Sequence, residues 1–156
     1  LRGRPDKEPG FFKEKANRAG NTMFVSPQMV KGTLKAGFDV LASISSPLGR
    51  AVYMMFLVSE VHPFNDGNGR IARIMMNSEL VNKGEQRILI PTVYRDDYIG
   101  ALRKLTRQHD PSAFVRMLDR IHKYSKWIQP INYEYMLNQL RESNAFEEPE
   151  NGKLKW

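Results

Sequence analysis

The residues best suited to chemistry lie together in one segment, His62-Pro63-Phe64-Asn65-Asp66-Gly67-Asn68-Gly69-Arg70-Ile71-Ala72-Arg73. A short connection between helices needs a few turn residues, not a His, an Asp, an Asn and two Arg so close together. Gly67, Asn68 and Gly69 precede an apolar-periodic run. Backbone N–H groups at such a helix start can approach an anion, and the helix dipole favours negative charge there. Arg70 and Arg73 are one turn apart, so both guanidinium groups can face the same anion. Asp66 would repel a bare phosphate and makes sense with a Mg²⁺ between it and the phosphate oxygens. His62 is the nearby group able to accept a proton near neutral pH. The set describes a polyphosphate cradle with one metal and one base, and the chemistry it suits is phosphoryl or nucleotidyl transfer to an incoming hydroxyl.

Helices must hold this loop. Ala51 to Val61 is apolar on nearly all sides, as a helix at the centre of a bundle would be. Ser45-Ser46-Pro47 is its start signal. After the loop, Ile71, Ile74, Met75, Leu80 and Val81 predict the apolar face of a second buried helix ending at Lys83-Gly84. Phe64 is expected to turn inward and pin the loop to the core. Met54, Met55, Met75 and Met76 are expected as core filler rather than metal ligands.

Upstream, residues 1–10 form an irregular lead-in. A small hairpin is expected over about residues 12–25, with its turn in Asn17 to Asn21. Met29, Val30, Leu34, Phe38 and Leu41 recur at helical spacing over 28–43. Downstream, Ile88 to Pro91 predicts an extended link, followed by helices near 95–107, 111–129 and 132–142. Glu147 to Trp156, charged and broken by Pro149 and Gly152, is expected as a tail or linker. His109 is expected at a helix boundary and His122 on a helix surface. The fold class is therefore mainly α, a helical bundle with a small β-hairpin.

The segment matches His-x-Phe-x-(Asp/Glu)-Gly-Asn-Gly-Arg-x-x-Arg at every defined position, and in this it resembles the Fic domain family. Weaker likeness extends over residues of about 9–125, through Gly10-Phe11-Phe12, Phe24 to Pro27 and Asp97-Tyr98. The resemblance implies a Fic-type bundle over 1–129, with its motif at 62–73 and its flap at about 12–25, and a C-terminal helix and polar tail over 130–156. It implies a protein adenylyltransferase that moves AMP from ATP, with Mg²⁺, to a Ser, Thr or Tyr hydroxyl of a target protein. His62 would be the general base and Asp66 the Mg²⁺ ligand. Gly67, Asn68 and Gly69 would form the anion hole for the α- and β-phosphates. Arg70 would bind phosphate and hold the leaving pyrophosphate, and Arg73 would take the γ-phosphate. Tyr98 would lie near the adenine. Asn21, Thr22, Met23 and Phe24 would belong to the flap that covers the nucleotide and holds a target segment by strand addition.

The alternatives are transfer of UMP, phosphocholine or phosphate, removal of AMP, or a non-catalytic nucleotide-binding module. Gly69 argues against phosphorylation, for which a relative carries Lys there. His62 and Asp66 argue against pure binding, which needs neither a base nor a metal ligand. Many family members carry an inhibitory helix with a Ser/Thr-x-x-x-Glu-Gly/Asn motif. The nearest string here, Ser143 to Glu148, lacks the final Gly or Asn. The chain begins with Leu, so a longer parent protein is expected, with the inhibitory helix upstream or supplied by an antitoxin-like partner.

Composition fits this picture. The net charge is +7, yet the 24 Lys and Arg residues are spread along the chain, so nucleic acid is not the expected partner. There are no cysteines, which excludes disulfides and thiolate chemistry. No apolar run is long enough to span a membrane and no signal-peptide pattern is present; the expected location is a cytoplasm, bacterial by expectation, and delivery into another cell is equally compatible. Neither the target nor the oligomeric state is written in the residues.

Overall fold

A computed structural model describes residues 5–156; the first part of the irregular lead-in, residues 1–4, lies outside the described residues. Six α-helices and one two-stranded antiparallel hairpin make the described fold mainly α, as the periodicity predicts. The chain divides into two compact units, Leu1–Lys83 and Gly84–Trp156.

In the first unit, a 3₁₀ turn at Pro5–Lys7 leads to β1 (Arg18–Ala19) and β2 (Thr22–Met23), paired Arg18 to Met23 and Ala19 to Thr22. Gly20 supplies the positive φ that this two-residue turn requires. Three helices follow: α1 (Val30–Ala42), α2 (Pro47–Val61) and α3 (Asn68–Val81). Ser46 caps α2 by accepting the Gly49 N–H, with Pro47 in the first turn where its missing donor costs nothing. α2 buries Ala51, Val52, Met54, Met55, Leu57, Val58 and Val61, which explains its apolar circumference. Gly37 lets α1 approach this helix, since a Cβ there would collide with the Leu57 side chain. Arg50 ties three elements together. Its Nε meets Glu79 of α3 at 2.7 Å, and its Nη1 donates to the carbonyls of Leu41, in the last turn of α1, and Ile44, just past it.

The inward face of α3 differs from the expected one. Asn68, Ala72, Met76 and Leu80 are buried at helical spacing, whereas Ile74 is 61% and Val81 46% exposed and Ile71 and Met75 are half-buried. The large aliphatics mislead because the buried stripe begins with a polar residue, Asn68, and passes through Ala72, fully buried with almost no side chain to mark it.

The second unit contains α4 (Arg95–Gln108), α5 (Ser112–Trp127) and α6 (Tyr133–Glu142). Asn132 caps α6 through the Tyr135 N–H, and His109 ends α4 in the left-handed region, at the expected helix boundary. Two expectations fail here. His122 is buried, not on a surface: its Nε2 lies 3.0 Å from the Gln86 carbonyl. The stretch after Glu147 is not a free tail. Leu154 is buried with Tyr124, Ile128 and Ala145, Trp156 meets the Tyr124 ring edge-on, and the Lys155 N–H donates to Ser143. Two apolar residues among the charges are enough to dock it.

Among the described residues, no helix is long and apolar enough to cross a membrane.

Candidate active site

The loop between α2 and α3 is built around two left-handed residues. His62 closes α2 at φ 48° and ψ 57°, and Gly67 opens α3 at φ 80° and ψ 5°. Glycine adopts the second conformation freely; histidine adopts the first at some cost and needs neighbours to hold it. The resulting turn carries the His62 ring sideways off the end of α2.

That ring is fixed on one edge and one face. Nδ1 lies 3.1 Å from the Ser59 carbonyl, which can only accept, so Nδ1 carries the proton and Nε2 the lone pair. Phe24, just past β2, stacks on the imidazole at 3.7 Å between centroids, with the planes 5° apart. Burial pushes the His62 pKa below its usual value. The Ser59 hydrogen bond opposes that shift, and the charge of Lys13 reinforces it. The neutral, proton-accepting form is therefore favoured.

Asn68 serves as the pin of the loop. Its Oδ1 accepts the Phe64 N–H at 2.9 Å and its Nδ2 donates to the Phe64 carbonyl at 2.8 Å, both from a buried position. Phe64, expected to do this with its ring, is instead half-buried against Phe12 at 5.7 Å. The Asn68 side chain is thus committed to the loop, and what the residue could still offer an anion is its backbone N–H. The Asn68 and Gly69 N–H groups stand at the start of α3, where no intrahelical acceptor reaches them. Arg73 bends back toward this end: its Nη1 lies 3.6 Å from where a Cβ on Gly69 would sit. Arg70 and Arg73 are both exposed, and no carboxylate pairs with either among the described residues.

A cleft of about 430 Å³ runs beside this helix end, lined by Asp66, Gly67 and Arg70 on its polar side and by Phe64, Ile71 and Ile74 on its apolar side. Ile71 and Ile74, missing from the core face of α3, are found here. His62 and Arg73 do not line the cleft. Asp66 is half-buried, and its Oδ1 accepts the Gly67 N–H at 2.6 Å, which ties the carboxylate to the residue that opens α3. No cluster of three or more potential metal ligands occurs among the described residues. A single carboxylate beside an anion site fits Mg²⁺, which takes one or two carboxylates and completes its shell with phosphate and water oxygens.

Of the remaining residues named from sequence, Asn21 and Met23 are exposed on the hairpin, and Thr22 is half-buried. Tyr98 lies in the second unit on α4, half-buried, with its ring 6.2 Å from that of Phe114.

Sequence reasoning missed Lys13 and Asn17. Lys13, only 2% exposed, donates from Nζ to the Val61 carbonyl at 3.1 Å and to Asn17 Oδ1 at 2.7 Å. Asn17 Nδ2 donates to the His62 and Phe64 carbonyls. A lysine and an asparagine in a polar stretch look like surface residues, and the one local signal was their spacing of four.

Comparison with known proteins agrees with this geometry. Residues 2–80 match the model of the Fic/DOC family. The chain is 38% identical over 72 residues to protein adenylyltransferase Fic of Drosophila persimilis, covering 46% of this chain and 14% of that protein. It is 34% identical over 96 residues to protein adenylyltransferase fic-1 of Caenorhabditis elegans, covering 59% of this chain and 19% of the relative. The match therefore spans less than a fifth of either relative's length. The solved structure of residues 134–508 of Fic-1 from C. elegans superposes with a TM-score of 0.67 at 26% identity, covering 89% of this chain and 40% of that one. With its motif intact, its helices and hairpin in place and half its length matched, the chain belongs to the Fic/DOC family.

Proposed function

We propose that this chain is a Fic-type transferase that moves AMP from ATP to a Ser, Thr or Tyr hydroxyl of a target protein. The observation that carries the reading is His62, held neutral with its lone pair on Nε2, four residues before a carboxylate and six before an anion-receptive helix start. Two relatives, 38% and 34% identical over the matched residues, are named protein adenylyltransferases.

In this reading, Nε2 of His62 takes the proton of the target hydroxyl as its oxygen bonds to the α-phosphorus. The bond from that phosphorus to the bridging oxygen breaks, and pyrophosphate leaves with its charge beside Arg70 and Arg73. The Asn68 and Gly69 N–H groups face the charge that develops on the phosphate oxygens. Asp66 would hold Mg²⁺, which when bound neutralises phosphate charge. Asn21 to Phe24 would cover the nucleotide, and the open edge of the hairpin would receive an extended target segment.

Labelled ATP tests the reading directly. The protein, Mg²⁺ and a lysate are incubated with ATP labelled at either the α- or the γ-phosphate, beside His62→Ala. Transfer of α-label alone, lost in His62→Ala, is the expected result. Transfer of γ-label would mean phosphorylation, and equal labelling by His62→Ala would remove His62 as the base.

A further inference from the structure

Four successive carbonyls, those of Val61, His62, Pro63 and Phe64, accept hydrogen bonds from just two residues upstream. Lys13 Nζ serves Val61, Asn17 Nδ2 serves His62 and Phe64, and the backbone N–H of Lys13 serves Pro63 at 2.8 Å. These carbonyls belong to the last residue of α2 and the three that follow it, where no further helical donors reach them. A cation at a helix C-terminus is also well placed against the dipole. Lys13 is unusual in being buried with no carboxylate partner among the described residues. Its ammonium lies 6.0 Å from the centroid of Phe24, the same ring that stacks on His62.

We propose that Lys13, assisted by Asn17, is the positioning residue of the His62 base. It clamps the backbone that holds His62 in its left-handed conformation, and so keeps Nδ1 on Ser59 and Nε2 open. Lys13 touches neither nucleotide nor target in this role. Only the kinetic part of its test rests on the transferase reading.

A structural role alone would lower stability and leave the state of the His62 ring unchanged in the folded molecules. The ring is therefore the primary readout. In ¹⁵N-labelled protein without nucleotide, two-bond ¹H–¹⁵N spectra report the tautomer of His62 and its titration. Wild type should show the Nδ1–H form. Lys13→Met should show mixed tautomers and a titration moved upward, because Lys13 is the charge that acts on His62. Lys13→Arg, which keeps charge and donors, should restore the wild-type spectrum.

With α-labelled ATP and Mg²⁺, Lys13→Met should lose roughly 10–100-fold in kcat while KM for ATP stays within about 3-fold, as expected for a misplaced base. An unchanged His62 tautomer and titration in folded Lys13→Met would overturn the proposal. Should Lys13→Met fail to fold, Asn17→Ala decides in its place: mixed tautomers support the clamp and an unaltered spectrum refutes it. If wild type transfers no label, the transferase reading fails while the spectra still decide the role of Lys13.

Discussion

His62 and His122 present the same local chemistry in two regions and come to opposite ends. Each has a ring nitrogen on a backbone carbonyl, Ser59 for one and Gln86 for the other. Burial is the main cause that lowers both pKa values, and a nearby lysine lowers each further. The lysines differ. Lys126 is paired with the Glu85 carboxylate at 2.6 Å, whereas Lys13 is engaged by a carbonyl and an amide. The surroundings differ more. His122 sits within α5 and is 6% exposed, too enclosed to meet a substrate hydroxyl. His62 sits past the end of its helix, half-buried, with the start of α3 six residues on. A depressed histidine pKa therefore does not mark a base by itself. Access and an anion-receptive neighbour do.

Paired substitutions break this comparison most sharply. His62→Ala should cut label transfer by roughly 10²–10⁴-fold, the usual worth of general base catalysis, while loss of the Ser59 hydrogen bond at this half-buried position costs only about 0.5–1.5 kcal/mol. His122→Ala should do the reverse, costing about 1–3 kcal/mol as the Gln86 carbonyl loses its buried partner, with transfer per folded molecule preserved. Transfer assays and urea unfolding on the same preparations read both. A kinetic defect in folded His122→Ala as deep as that of His62→Ala would end the distinction.

Asn68 sharpens the same contrast at intermediate scale. Replacing it by Ala strips the Phe64 N–H of its partner and leaves the Phe64 carbonyl with Asn17 alone. A destabilisation of about 1–3 kcal/mol is expected in urea unfolding. Because Asn68 fixes the path of the chain between His62 and the start of α3, the proposed transfer should fall as well. A stable, fully active Asn68→Ala protein would show that the loop holds its shape without the pin.

The motif is legible because the residue types that suggest chemistry are close together. A histidine, an aspartate, a pair of glycines and two arginines fall around one helix start, and α2 declares its burial by being apolar all round. What sequence hid was set by contacts distant along the chain. Lys13 reaches Val61 across 48 positions, and nothing near Lys13 says that its ammonium will be buried. Asn68 looked like part of a phosphate loop, yet its side chain satisfies the amide of Phe64. The inward stripe of α3 was hidden because it begins with Asn68 and passes through Ala72, a polar and a small residue. Leu154 and Trp156 were hidden because charged neighbours outnumber them.

The smallest expected effect is the dependence of stability on pH. Both His62 and His122 have folded pKa values below the ordinary 6.5, so folding favours their neutral forms. Between the depressed folded values and 6.5, the unfolded chain binds more protons than the folded one, and stability rises with pH across that window. The contribution is complete above about 6.5 and is lost as pH falls through the folded values. Urea unfolding at intervals from about pH 5 to 8 should therefore show a slope in wild type that His62→Ala and His122→Gln each flatten in part, and that the double variant loses on this account. The transfer rate separates the two histidines again. In the proposed reaction protonation of His62 would block the base, so the acid limb of the rate should survive His122→Gln unchanged, although the stability slope does not. A shift of that limb in His122→Gln would mean that the second histidine reports on catalysis after all.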